Sequence, residues 1–175
     1  MAATEPDQRE ARFRAAVMPH LDAAYNLARW LTGSSVDADD AVQESYVRAQ
    51  RYFDSCRGDA KAWLLGIVRN ECFDLIKTRA VEGVVVDESA DAAPGPEAQL
   101  ENKQEAARIN RALRRLPVEF REVIVLREIE AYSYRDIARI TDAPVGTVMS
   151  RMARARRQLL EQIGNEREER KSGLL

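Results

Sequence analysis

Apolar residues along this chain recur at three- and four-residue intervals, the spacing that lines one face of an α-helix; the two-residue alternation of a half-buried strand is almost missing. Over residues 10–79 the pattern predicts three helices. The first sets Val17, Leu21, Ala24, Tyr25, Ala28 and Leu31 on one side and stops at Gly33. Asp37 is the expected N-cap of the second, whose apolar positions are Ala41, Val42, Tyr46, Val47 and Ala49, ahead of Phe53. The polar run DSCRGD interrupts the periodicity. A third helix then carries Trp63, Leu64, Ile67, Val68, Cys72, Leu75 and Ile76, with Trp63 in the phase of Ile67 and so assigned to the core.

The pattern fails over residues 80–102. The stretch VEGVVVDESADAAPGPEAQLEN holds acids, alanines and Pro-Gly-Pro with no lysine or arginine, and it offers too little apolar surface to offset the entropy of ordering. A flexible acidic tether is expected there. Val84, Val85 and Val86 are compatible with a short strand or with a segment that orders against a partner. Helical periodicity returns over residues 103–163, with one helix ending at Leu116-Pro117, another over Glu119–Glu130, and a short one over Tyr134–Ile140. A turn follows through Thr141, Asp142 and Ala143, and a long helix opens at Pro144-Val145. The charged tail NEREERKSGLL is expected to fray. The predicted fold is all-α: two small helical domains joined by a flexible acidic linker, the second built around a helix-turn-helix.

Composition narrows what such a protein does. Basic and acidic residues nearly cancel, giving a formal net charge of -2, so nucleic-acid binding depends on where the positive charge is concentrated. Cys56 and Cys72 form no CxxC pair and His20 is the sole histidine, a set that cannot build a zinc centre; no metal or other cofactor is expected, and the thiols read as reduced. There is no glycine loop for phosphates and no nucleophile–base set, so the chain is not expected to be an enzyme. The opening MAATEPDQREARF lacks the basic start and apolar core of a signal peptide, and no apolar run reaches the ~20 residues of a membrane span; a cytoplasmic protein without membrane insertion is expected.

The stretch SYRDIARITDAPVGTVMSRMARARRQL has the parts of a helix-turn-helix. Ile137, Ala138, Val148 and Met152 fall where the two helices pack, and Thr147, Ser150, Arg151, Arg154 and Arg157 lie on the opposite face of the second. Between Pro144 and Leu160 there are four arginines and no acid, a basic stripe suited to following phosphates on a chain that is acidic overall. In the first block Asp40, Gln43 and Glu44 share a helical face by the i, i+3, i+4 rule.

These motifs resemble a known family. LPVEFREVIVLREIEAYSYRDIARI followed by APVGTVMSRMARARRQL is similar to the sigma-4 domain of sigma factors of the extracytoplasmic-function type. The resemblance implies that the last helix reads the upstream (−35) promoter element, with Ser150 and Arg154 approaching base edges and Thr147, Arg151 and Arg157 holding phosphates. Met149 stands where the family often has a basic residue. VDADDAVQESYVRAQRYF resembles the segment that grips the clamp helices of RNA polymerase, which assigns docking to Asp40, Gln43 and Glu44. DAKAWLLGIVRNECFDLIK resembles the part of the sigma-2 domain that engages the downstream (−10) element. There the implied contacts are Asn70 to bases and Arg69, Lys77 and Arg79 along the backbone, the loop from Asp54 to Lys61, with Lys61 at its end, walling a pocket for an unstacked base. Tyr52 and Phe53 are open between core and stacking roles.

What the resemblance implies is a factor that binds core RNA polymerase and promoter DNA, is a monomer when free, and is held inactive by an anti-sigma factor. Its tether would thread the polymerase, with Asp87, Glu88 and Asp91 mimicking the charge of RNA. The competing reading is a helix-turn-helix regulator that acts without polymerase. Such regulators typically pair into dimers on palindromic half-sites, and neither a dimer seam nor a ligand domain is visible here.

Overall fold

In the computed structural model, described for residues 5–82 and 100–172 with side chains over 7–82 and 105–165, every long element is helical and no strand occurs among the described residues. The chain divides into two compact units.

In the N-terminal unit, α1 (Glu5–Val17) passes through a single 3-10 turn (Met18–His20) into α2 (Leu21–Thr32). The sequence pattern had run one helix through this point. Pro19 sits in the first positions of the turn, where its missing N–H breaks the ladder, although the apolar spacing continues in phase across the break. α2 closes as expected at Gly33, whose N–H donates to the Arg29 carbonyl at 3.0 Å and whose left-handed φ of 74° then turns the chain out of the helix. α3 (Ser35–Tyr52) is capped by Ser34, not by Asp37: the Ser34 hydroxyl accepts from the Asp37 N–H at 3.3 Å. The Asp37 side chain is instead turned inward, 1% exposed, and accepts a hydrogen bond from Arg79 near the end of α4 (Ala60–Glu82).

The core of this unit follows from side-chain size. α3 turns Ala38, Ala41, Ser45 and Ala49 inward, a stripe of small residues that lets its backbone lie close to α2 and α4. Those two helices fill the space with Leu27, Ala28 and Leu31 and with Leu64, Leu65, Val68 and Cys72. Full burial of each leucine contributes about 1.5–3 kcal/mol. Phe13 of α1 is fully buried and meets Tyr46 and Phe53 edge-on, with ring centroids 5.2 and 5.4 Å apart.

The C-terminal unit contains α5 (Leu100–Arg114), α6 (Val118–Ile124), the first part of α7 (Tyr134–Thr141) and α8 (Val145–Ser172). Residues 80–82 and 100–102 of the expected tether are thus helical, Val84–Val86 lie outside the described residues, and α8 runs on past Ile163, through most of the tail expected to fray. After α6 the chain widens into a π-helical turn, Val125–Ile129, which ends where Glu130 donates to the Val125 carbonyl and Tyr132 to that of Leu126. Ala112, Leu113, Leu116, Val123, Val125 and Leu126 are buried, as are Val148, Met152 and Ala155 of α8. Arg108 donates to the Ile163 carbonyl at 3.0 Å and ties α5 to α8.

Candidate functional site

The helix-turn-helix is set by three local devices. Ser133 precedes α7 and its hydroxyl accepts from the Asp136 N–H while donating to the Asp136 carboxylate, a reciprocal cap. Asp142 adopts φ of 49°, a left-handed conformation that aspartate tolerates better than most residues, and this turns the chain between α7 and α8. The Pro144 carbonyl then accepts from the Thr147 and Val148 amides, so proline occupies the N-cap position of α8.

With α8 so fixed, Val148, Met152 and Ala155 face the core, and Ser150, Arg154 and Arg157 are exposed on the other side, flanked by half-buried Thr147 and Arg151. The five residues expected to meet DNA thus lie along one outward strip. The fourth arginine, Arg156, is diverted: it donates to Glu128 at 2.7 Å, and that carboxylate holds its guanidinium more firmly protonated. Met149 is 53% exposed.

In the N-terminal unit Asp40, Gln43 and Glu44 are exposed along α3 and line one wall of an open groove of about 560 Å3, whose other wall is Glu71, Leu75 and Thr78 of α4. Three carboxylates in one groove give it a negative potential suited to a basic partner. Glu71 sits deepest. Arg48 Nε lies 2.7 Å from its Oε1, an ionic contact outside directed hydrogen-bond geometry. Burial raises the Glu71 pKa above the usual carboxylate value, against the pull of Arg48 and with further repulsion from Glu44 and Asp74.

A second cavity of about 230 Å3 is lined by Arg48, Tyr52, Ser55, Trp63, Asn70 and Glu71, among others. Of the three residues expected at the downstream element, Asn70 lines it. Arg69 lies over the Phe73 ring, its Cζ 4.3 Å from the centroid, and donates to the Asn70 Oδ1 at 3.1 Å, while Lys61 occupies the first turn of α4, its N–H bonded to the Asp59 carboxylate. Trp63 corrects the core assignment: it is half-buried, meets Phe53 at 6.4 Å and presents part of its ring to the cavity. Arg48 and Glu71 were not legible as site residues, because each looks like an ordinary helix-surface charge until α3 and α4 are packed together.

The loop that closes this cavity is tightly tied. Ser55 donates to the Tyr52 carbonyl at 2.7 Å, the Cys56 amide to the Phe53 carbonyl at 2.9 Å, and Arg57 to the Asp54 carbonyl at 2.6 Å. Gly58 supplies the left-handed step, φ 74°, that returns the chain to α4. Cys56 is half-buried with its thiol pKa pushed up by burial, and Cys72 is in the core; neither is in a disulfide. Among the described residues no three metal-binding side chains gather, and no helix is long and apolar enough to cross a membrane.

Known proteins match both halves. The Sigma-70 region 2 family matches residues 16–81 and the Sigma-70, region 4 family residues 106–159. The ECF RNA polymerase sigma factor SigM of Mycobacterium tuberculosis is 37% identical over 147 residues, 83% of this chain and 74% of that protein. The ECF RNA polymerase sigma-E factor of Escherichia coli K12 is 35% identical over 136 residues, 70% of this chain and 71% of its own. Among solved structures, the sigma factor RpoE from Bartonella quintana, in complex with the anti-sigma factor NepR, superposes with a TM-score of 0.76 at 31% identity, covering 87% of this chain and 97% of that one. CnrH in complex with the cytosolic domain of CnrY gives 0.65 at 26% identity, over 89% and 90%. The chain belongs to the sigma-70 family, in its extracytoplasmic-function (ECF) group.

Proposed function

We propose that this protein binds core RNA polymerase and directs it to promoters, docking through the acidic face of α3, holding the opened −10 element at the loop and cavity of the N-terminal unit, and reading the −35 element with α8. The observation that carries the reading is the outward strip of α8, from Thr147 to Arg157: it is basic and free of acid, and it belongs to a correctly capped helix-turn-helix. Ser150 and Arg154 are placed for base edges; Thr147, Arg151 and Arg157 fix the register on phosphates.

At the other reader, taking a base out of the stack costs a few kcal/mol, and a preformed polar and aromatic cavity offsets that cost. Asn70 and Arg48 supply hydrogen-bonding groups there and Trp63 and Tyr52 supply ring surface. Lys61 stands at the end of this loop and Arg69 further along α4, beside Asn70, to follow the strand. The domains run over residues 10–79 and 103–163, and the acidic tether between them takes a path through the polymerase. Chemistry stays with the polymerase. The factor is a cytoplasmic monomer when free, and an anti-sigma factor restrains it by covering its polymerase-binding surfaces, a role supported by the complexes of RpoE and CnrH. Either reader alone binds DNA weakly until polymerase fixes their spacing.

The test is run-off transcription with purified core polymerase, with and without the protein. Specific starts that depend on it are expected. A preparation that neither associates with the core nor yields a defined start overturns the reading, and symmetric half-site footprints without polymerase would put a conventional repressor or activator in its place.

A further inference from the structure

We infer that α1, through Arg9 and Phe13, is a positioning brace for the loop that receives the −10 base, so that residues preceding the family match set how sharply that base is discriminated. The inference rests on the functional reading above. Arg9 and Phe13 lie before residue 16, where the match to region 2 begins.

Three observations place the brace. The Arg9 guanidinium spans the last turn of α3 and the start of the loop. Its Nε donates to Asp54 Oδ2 at 3.0 Å and Oδ1 at 3.3 Å, and its Nη2 donates to the Gln50 carbonyl at 2.9 Å, with the Arg51 carbonyl at 3.5 Å. Next to it Gln50 donates to Glu10 at 3.0 Å, and this bond heads the causes that hold the Glu10 carboxyl below its usual range. One turn further along α1, Phe13 is packed edge-on against Phe53, and Phe53 edge-on against Trp63, whose ring lines the base-sized cavity.

The physical consequence follows from what each contact constrains. An exposed ion pair contributes little to stability, and Asp54 is 72% exposed. A planar guanidinium that satisfies a carboxylate and a helix-end carbonyl together does something else: it fixes the direction in which the chain leaves α3. Phe13, fully buried, fixes the depth of Phe53 and through it the tilt of Trp63. A cavity held at both edges accepts one base shape. With the brace removed, the loop still forms through its own Ser55, Cys56 and Arg57 bonds, but its position against Trp63 relaxes.

The experiment uses full-length protein with core RNA polymerase. The templates are one on which the wild-type holoenzyme starts and versions of it carrying each other base at the melted −10 position. For Arg9→Ala, the ratio of starts on the parent template to starts on the variants is expected to fall about fivefold, the worth of one to two hydrogen bonds. Core binding stays unchanged. A variant that is merely less folded, or binds polymerase less well, loses starts on all templates alike and keeps the wild-type ratio; that result overturns the inference. If Arg9→Ala loses its helical circular-dichroism signal, Arg9→Lys carries the same test. Lysine keeps the charge but cannot hold carboxylate and carbonyls with one flat group, so a reduced ratio is expected again, and a wild-type ratio refutes the brace. A wild-type holoenzyme that starts nowhere refutes the functional reading, and the inference with it.

Discussion

The two helical units present their proposed functional groups in opposite ways. In the C-terminal unit the proposed reader is convex: one helix, α8, carries Thr147, Ser150, Arg151, Arg154 and Arg157 on a strip that needs only its own periodicity. In the N-terminal unit the candidate surfaces are concave and lie at the seam of two helices: Asp40 and Glu44 of α3 with Glu71 of α4 make one groove, and the cavity beside it adds Ser55 of the loop. A convex reader suits a duplex groove already open to it. A concave one suits a protein helix or a base that has left its stack. The difference teaches that one kind of secondary structure serves both tasks, according to whether the acting face belongs to one helix or to the seam between two.

Replacing Asp40 and Glu44 together by lysine puts the strongest strain on this contrast. Like charges facing each other across an interface cost several kcal/mol, so affinity for core polymerase is expected to drop by about 100-fold or more while helix content is retained. Unchanged binding in a titration of labelled protein with core would remove the groove as the docking surface. Next in size is Arg154→Ala, expected to cost about 1–3 kcal/mol at the −35 element and to relax base preference there. Arg156→Ala, its control two residues on, removes a group already paired with Glu128 and should leave base preference alone. Equal effects of the two on promoter preference would mean that charge, and not the outward strip, is what DNA senses.

The smaller effects concern stability. Ser34→Ala removes the cap of α3 and should lower unfolding free energy by about 1 kcal/mol, read from urea melts. Ser133→Ala, at the start of α7, is its counterpart in the other unit. Smallest is Glu71→Gln. Because the folded-state pKa of Glu71 is raised, the folded protein binds more protons than the unfolded chain between the ordinary value of 4.5 and the raised one. Stability from this group is therefore fully present below that window and is lost as pH rises through it. Glu71→Gln should flatten that part of the pH–stability curve and leave the protein slightly more stable at neutral pH. A steeper curve in the variant would show that Arg48 outweighs burial.

The convex site was readable from sequence because it is local. Turn and strip lie within a few residues of one another, and their spacing alone put Val148 and Met152 inward and Ser150 and Arg154 outward, while the Ser133 cap of α7 went unread. The all-helical build and the stop at Gly33 were readable for the same reason. What escaped was nonlocal or out of phase with expectation. Asp37 has the composition of a cap, yet its carboxylate is claimed by Arg79, 42 residues away, leaving Ser34 to do the capping. Trp63 shares the phase of Ile67, but the cavity beside it exists only once α3, the loop and α4 are packed. The break at Pro19 was hidden by apolar residues that stay in register across it, and the π-helical turn at Val125–Ile129 leaves no periodic trace in so short a stretch.

The stripe of small residues on α3 has one more consequence. Because Ala38, Ala41, Ser45 and Ala49 hold the helix in place with almost no side chain of their own, enlarging any of them would force the backbones apart. The outward residues carry no such burden. Selection can therefore rewrite the outer side of this helix residue by residue, retuning which partners recognise it, while the scaffold beneath stays frozen.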